Sequence, residues 1–259
     1  VTTHRTALIK LLQANAYRHH MHDVFRDFVE LSACALANAV DPVGRDQREA
    51  QYMRTIGKYN PEEASRFAQA FAELTGAMEE EPGDVLGSVF GELEQGNAAR
   101  GQFFTPFHIC KLMAQLTLDP EHARELIAQR GYFTVQEPAC GAGAMVIALA
   151  LHLRDQGINY QQHMHATCID VDARAVHMAY VQFALLGLPA VLVIGNAISL
   201  EQREVWHTPA HILGLWDTKL RRGYALGSAM DEDEDDEMAP PPVALATPPL
   251  PAGQLELFA

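Results

Sequence analysis

A glycine-rich turn set between a strand pattern and a helix pattern constrains this chain more than any other feature: Val135-Gln136-Glu137-Pro138-Ala139-Cys140-Gly141-Ala142-Gly143. Tyr132 to Gln136 reads as a β-strand and Ala144 to Arg154 as a helix. Glycine suits a backbone that must turn tightly and approach a ligand with no Cβ in the way. At the carboxyl end of the first strand of a Rossmann-like sheet, such a turn opens onto the ligand crevice. Ordinary loop chemistry explains a lone glycine turn equally well, so its surroundings matter.

Those surroundings divide into three parts. Residues 4 to 40 read as helix, with Leu8, Leu11, Leu12, Val24, Phe25, Phe28, Val29 and Leu31 at helical spacing. Asn60-Pro61-Glu62-Glu63 is a helix start, a capping residue followed by a first-turn proline and acids. That helix carries Phe67, Phe71 and Leu74 on one face, and Val85 to Leu93 gives another short helix. From about residue 101 the pattern becomes α/β. Thr105-Pro106 reads as cap plus proline for a helix through Leu118, and strands follow at Tyr132–Gln136, His165–Asp170 and Val191–Gly195. Alternating strands and helices predict a parallel α/β sheet. The expected division is a helical domain over 1–100, an α/β domain over 101–228 and a disordered acidic and proline-rich tail over 229–259.

The chain has 259 residues, 48% hydrophobic and 20% charged, ordinary for a soluble globular protein. It opens on Val1, with no signal-peptide pattern and no apolar run able to span a bilayer. Cys34, Cys110, Cys140 and Cys168 share no metal-ligand spacing, which fits a reducing cytoplasm. The net charge is −14. Eight acidic residues lie in 231–259, where there is no Lys or Arg, so the rest of the chain carries −6. Lys219-Leu220-Arg221-Arg222 is the clearest basic cluster, a poor endowment for neutralising phosphates. His19, His20 and His22, and His163 and His165, lack the cysteine or carboxylate pattern of a metal site, and no metal is expected there.

Read in order, Gly83-Asp84-Val85-Leu86-Gly87, Gly101-Gln102-Phe103-Phe104-Thr105-Pro106, the glycine turn, Cys168-Ile169-Asp170-Val171-Asp172 and Gly195-Asn196-Ala197 form a set. The set resembles the DNA adenine-N6 methyltransferases, above all the modification subunits of type I restriction-modification systems. The resemblance covers about residues 82 to 200, with Glu137 in place of the family's aspartate and Ala142 in place of its serine. It implies S-adenosylmethionine as cofactor, DNA as substrate and a partner specificity subunit. Cofactor contacts would fall on Thr105, Pro106, Glu137, Pro138, Ala139, Cys140, Gly141, Gly143, Asp170 and Asn196.

The residue chemistry suits those roles. A helix amino terminus at Thr105-Pro106 offers free N–H groups to the methionine carboxylate, or is simply a capped core helix. Asp170, at a strand end, can accept both ribose hydroxyl protons; its alternative is to cap the next helix, which Asp172 can do instead. Asn196 matches the position that meets the adenine amino group, with turn chemistry as the alternative.

One part is missing. Methylating adenine N6 requires a flipped base stacked on an aromatic ring, with its amine held by polar acceptors. The family does this with [DNS]-P-P-[YFW], which does not occur here. The nearest relic is Thr208-Pro209-Ala210-His211, making Thr208, Pro209 and His211 the catalytic candidates. The strand expected before it, Ala197 to Glu204, is too charged for a buried central position, and His211 to Trp216 or a partner would cover the edge left on the first strand.

The chain's last residues include Gln254-Leu255-Glu256-Leu257-Phe258, which resembles the pentapeptide by which bacterial replication and repair proteins dock on the sliding clamp. Gln254, Leu255, Leu257 and Phe258 would be its anchors. The functional expectation is therefore a DNA adenine-N6 methyltransferase. A non-catalytic methyltransferase-like interaction module is the alternative, and methylation of RNA or protein a third course.

Overall fold

The computed structural model describes residues 3–94 and 105–234. Its amino-terminal half is helical: α1 (Thr3–Asn15), α2 (Met21–Val40), α3 (Arg45–Ile56), α4 (Pro61–Glu80) and α5 (Val85–Glu94). The stretch 4–40 is thus two helices rather than one, broken where Ala16 N–H is shared between the carbonyls of Leu12 and Gln13 and where His20 is extended. The break lets α1 pack on α4 as well as on α2.

The start of α4 forms as its sequence predicts. Asn60 accepts from Glu63 N–H while the Glu63 carboxylate accepts from Asn60 N–H, a reciprocal capping box. Helix α3 sets only Tyr52 and Ile56 against the core and has no broad apolar stripe to mark it in the sequence. It is held by polar contacts to α2 and the intervening loop, where Arg48 donates to Asn38 Oδ1 and to the carbonyls of Asp41 and Val43, and Thr55 donates to Glu30.

The remaining elements are α6 (Phe107–Thr117), α7 (Pro120–Arg130), β1 (Phe133–Glu137), α8 (Ala144–Asp155), α9 (Tyr160–His163), β2 (Met164–Asp170), α10 (Ala173–Leu186), β3 (Ala190–Asn196), β4 (Glu201–His207), α11 (Pro209–Leu213), α12 (Trp216–Arg222) and α13 (Ala229–Glu234). They build an α/β, Rossmann-like sheet on the three predicted strands, preceded by the helical region. The sheet order is β1-β2-β3-β4, with β1 to β3 parallel and β4 antiparallel to β3. The all-parallel expectation therefore fails at β4. Charge explains its place: Glu201 to Val205 are exposed and only Trp206 is buried, a composition suited to an edge. A bulge at Ile194/Gly195 brings β4 so close that a Cβ on Gly195 would strike the Glu201 carbonyl.

Two local expectations also change. Pro106 rather than Thr105 caps α6, and no side chain assists. The amino-terminal part of the acidic run is helical as α13, with Gly227 N–H donating to Asp231 across its first turn. His211 to Trp216 packs not along the free edge of β1 but at the amino-terminal end of the sheet. There Trp216 lies edge-on to Tyr132 at 5.4 Å and beside His165 at 5.1 Å. Among the described residues β1 pairs only with β2.

One apolar core runs from Leu8 in α1 to Trp206 in β4. Helix α10 is its centre: Ala175 to Phe183 are all buried, between the sheet and helices α2, α4 and α5. A helix apolar on every side needs neighbours on every side.

Candidate functional site

Because β1, β2 and β3 are parallel, their carboxyl ends meet along one side of the sheet, and Glu137, Asp170 and Asn196 are the last residues of those strands. The glycine turn follows Glu137 at once. Gly141 and Gly143 have φ of 53° and 86°, left-handed values open to glycine without strain. Gly143 is also required by packing, since a Cβ there would lie 2.5 Å from the Phe183 ring. The turn is tied to the neighbouring strand: Cys140 N–H donates to the Ile169 carbonyl at 2.9 Å, and Gly141 N–H donates to Asp170 Oδ2 at 2.8 Å. Asp170 Oδ1 accepts from Asp172 N–H, while Asp172 caps α10 by accepting from Arg174 N–H. The capping role thus belongs to Asp172. Asp170 spends one lone pair of each oxygen on backbone, and a carboxylate offers about four acceptor sites in all.

Of the other expected residues, Glu137 accepts from Ala139 N–H at 3.3 Å, and Pro138 and Ala139 are exposed. Cys140 is buried and free, its thiol donating to the Gly141 carbonyl at 3.7 Å, and the ionisation of the buried, free Cys168 is pushed well up by the neighbouring Cys140 thiol and by burial. Asn196 Oδ1 accepts from Ile198 and Ser199 N–H, so the turn role is filled; its amide nitrogen remains as a donor. Thr105 and Pro106 are exposed at the start of α6, which packs on α8 through Cys110, Ala114, Ala144 and Ala148.

A buried polar network that sequence reasoning missed joins these pieces. Gln182, fully buried on α10, donates to the Ala142 carbonyl in the glycine turn at 2.9 Å and to Asp84 Oδ1 at 3.0 Å. Its own oxygen accepts from Leu86 N–H, and Asp84 also accepts from Gly87 N–H. Burial pushes the Asp84 carboxyl upward, opposed by these bonds. Gly83, next in chain, lies against the Phe107 ring in the first turn of α6. The segment Gly83 to Gly87 is thereby coupled to both the turn and α6. The available signal was a polar side chain in the mostly apolar run of α10.

Thr208, Pro209 and His211 are not brought to this end. Thr208 follows β4, whose last residue His207 is paired with Val191 near the amino-terminal end of β3. The Thr208 hydroxyl donates to the Leu188 carbonyl and accepts from Ala190 N–H, so it is a buried staple between elements. From Ala190 to Asn196 the strand runs roughly 20 Å at its usual rise per residue. Of the histidines grouped in sequence, His163 bonds the Gly131 carbonyl and His19 faces Glu63. His165 instead meets His211 at 2.8 Å, and the group formed by His207, His211 and Asp217 had no contiguous sequence signal. Gln254 to Phe258 and Gly101 to Phe104 lie outside the described residues.

Residues 82–211 match the sequence pattern of the N-6 DNA methylase family, half of the chain. The chain belongs to the N-6 DNA methylase family. No curated protein matches it. Among solved structures it is similar to a protein of Listeria monocytogenes described as a class I S-adenosylmethionine-dependent methyltransferase, at 13% identity and a TM-score of 0.41, over 88% of this chain and 72% of that one. It is also similar to the methyltransferase subunit of a type I restriction-modification system from Streptococcus thermophilus, at 21% identity and a TM-score of 0.36, over 73% of this chain. The chain spans 38% of that subunit's length. Family membership rests on the sequence match. No helix of the described residues is long and apolar enough to cross a membrane.

Proposed function

We propose that this member of the N-6 DNA methylase family binds S-adenosylmethionine at the carboxyl ends of β1 to β3 and serves methyl transfer to adenine N6 in DNA. The observation that carries the reading is the Gly141 N–H to Asp170 bond, which locks the glycine turn to the acidic end of β2 while leaving that carboxylate free acceptor sites. Those sites suit a ribose diol. The Glu137 carboxylate suits the cofactor's ammonium group, the Asn196 amide nitrogen an acceptor nitrogen of its adenine, and the free N–H groups at the start of α6 its carboxylate. The cofactor supplies an activated methyl group; the chain's residues bind and orient it.

Calorimetric titration with S-adenosylmethionine tests this. Binding of the wild-type chain, weakened at least ~10-fold by Asp170→Ala (the loss of hydrogen bonds to a charged group), is the expected result. No heat from folded wild-type protein would remove the reading.

A specific observation favours a second reading. Thr208, Pro209 and His211 lie at the far end of the sheet, so a base-holding loop must come from other residues or from a partner. Without one the chain is a cofactor-binding interaction module. If Pro209→Ala abolished an N6-adenine methylation measured on DNA, the placement argument would be wrong. For this reading the terminal pentapeptide would dock the module on the sliding clamp, and deleting residues 254–258 should abolish clamp binding.

A further inference from the structure

We infer that His207, His211 and Asp217 form a binding site for a divalent transition-metal ion of the zinc class, at the opposite end of the sheet from the glycine turn. The three residues come from three elements: the last position of β4, the first turn of α11 and the first turn of α12. One ligand atom from each lies within 4.8 Å of the other two. His211 Nε2 and Asp217 Oδ1 are already 3.1 Å apart. Bonds of about 2.0–2.2 Å to nitrogen and oxygen in a tetrahedral shell place donor atoms roughly 3.3–3.5 Å from one another. Closing the set therefore needs only small side-chain rotations, and Asp217, 73% exposed, is free to make them.

The surroundings are organised as a metal site requires. His211 is buried, and its other ring nitrogen meets Nε2 of the equally buried His165 at 2.8 Å. A histidine ligand is oriented by the bond its second nitrogen makes. With His211 Nδ1–H donating to His165, the Nε2 lone pair points toward Asp217, where it and the carboxylate oxygen are both acceptors. A cation between them satisfies both. His207 makes no side-chain hydrogen bond among the described residues, and its ring sits 4.8 Å from that of His211. The corner that returns Asp217 to His211 is tight. Leu215 has a left-handed φ of 52°, and a Cβ on Gly214 would strike the Ala210 carbonyl and the Trp216 ring. Two imidazoles and one carboxylate select borderline metals such as Zn²⁺ over Mg²⁺ or Ca²⁺, and leave a coordination position to water. Bound there, the ion ties the end of β4 to α11 and α12.

The test uses the full chain, stripped with a chelator and titrated with Co²⁺ and with Zn²⁺. One equivalent of Co²⁺ should bind with a d–d spectrum of nitrogen and oxygen ligation and no sulfur charge-transfer band, and Zn²⁺ should displace it. His207→Ala and Asp217→Asn, both at positions outside the apolar core, should each weaken binding at least 10-fold while leaving the far-ultraviolet circular dichroism unchanged. Saturating Zn²⁺ should raise the Tm of the wild type and not of the variants. Absence of binding at 100-fold excess of Zn²⁺, binding that both variants retain, or a thiolate spectrum would each overturn the assignment.

Discussion

Gln182 shows how one buried side chain can hold a site together. It satisfies the Ala142 carbonyl in the glycine turn and the Leu86 N–H and shares Asp84 Oδ1 with Gly87 N–H, so Gln182→Leu leaves the carbonyl and the N–H unpaired in the interior and Asp84 with one bond fewer. A loss of about 2–3 kcal/mol is expected from orphaned buried groups, read as a lower midpoint in urea unfolding. Asp84→Asn in the same background should recover part of that loss, because it removes a buried acid that has lost one of its hydrogen bonds. His177 gives the pH dependence. Burial holds its ionisation down at about 4, against Glu30 and Asp172, which pull it upward. Its ordinary value is 6.5, so between pH 6.5 and about 4 the unfolded chain binds the proton and the folded chain does not. Stability is then full above pH 6.5 and falls as pH drops toward 4, by on the order of 3 kcal/mol. Denaturant unfolding across that window should show the decline, and His177→Gln should make it shallower, leaving the part due to His165, which burial holds down at about 3.

At the level of elements, the carboxyl ends of the strands were legible because the signals there are local. Tyr132 to Gln136 ran into glycines, and Asn60-Pro61 opened α4 with the bonds its residue types allow. What the sequence hid depends on partners distant in the chain. Helix α3 has no broad apolar stripe and stands on Arg48 and Thr55 bonds to α2 and its neighbouring loop. The place of β4 could not be read from its charges alone, since an acidic segment that cannot be central can be an antiparallel edge. Thr208 resembled part of a catalytic loop in sequence but is a staple in space, because antiparallel β4 carries it back toward the amino-terminal end of β3. Gly143 is the element-scale test: with φ of 86° and the Phe183 ring in the way, Gly143→Ala should cost about 2–4 kcal/mol, measurable by urea unfolding.

For the molecule as a whole, charge and architecture point the same way. A chain of net −14 is poorly endowed for neutralising phosphates, and the proposed DNA partnership would draw on a second, basic component. Fluorescence anisotropy with duplex DNA at physiological salt should show no binding by this chain alone tighter than the ~10⁻⁴–10⁻⁶ M of non-specific complexes. The helical half and the sheet share one core, and Gln182 ties Asp84 of the helical half to the glycine turn behind the proposed cofactor surface. The central claim is that this surface holds S-adenosylmethionine, and the most direct measurement is calorimetric titration of the cofactor into the wild-type chain and into Asp170→Ala. One-to-one binding that the variant loses by ~10-fold or more agrees with the account. Binding of equal strength in both proteins, or none in the wild type, contradicts it.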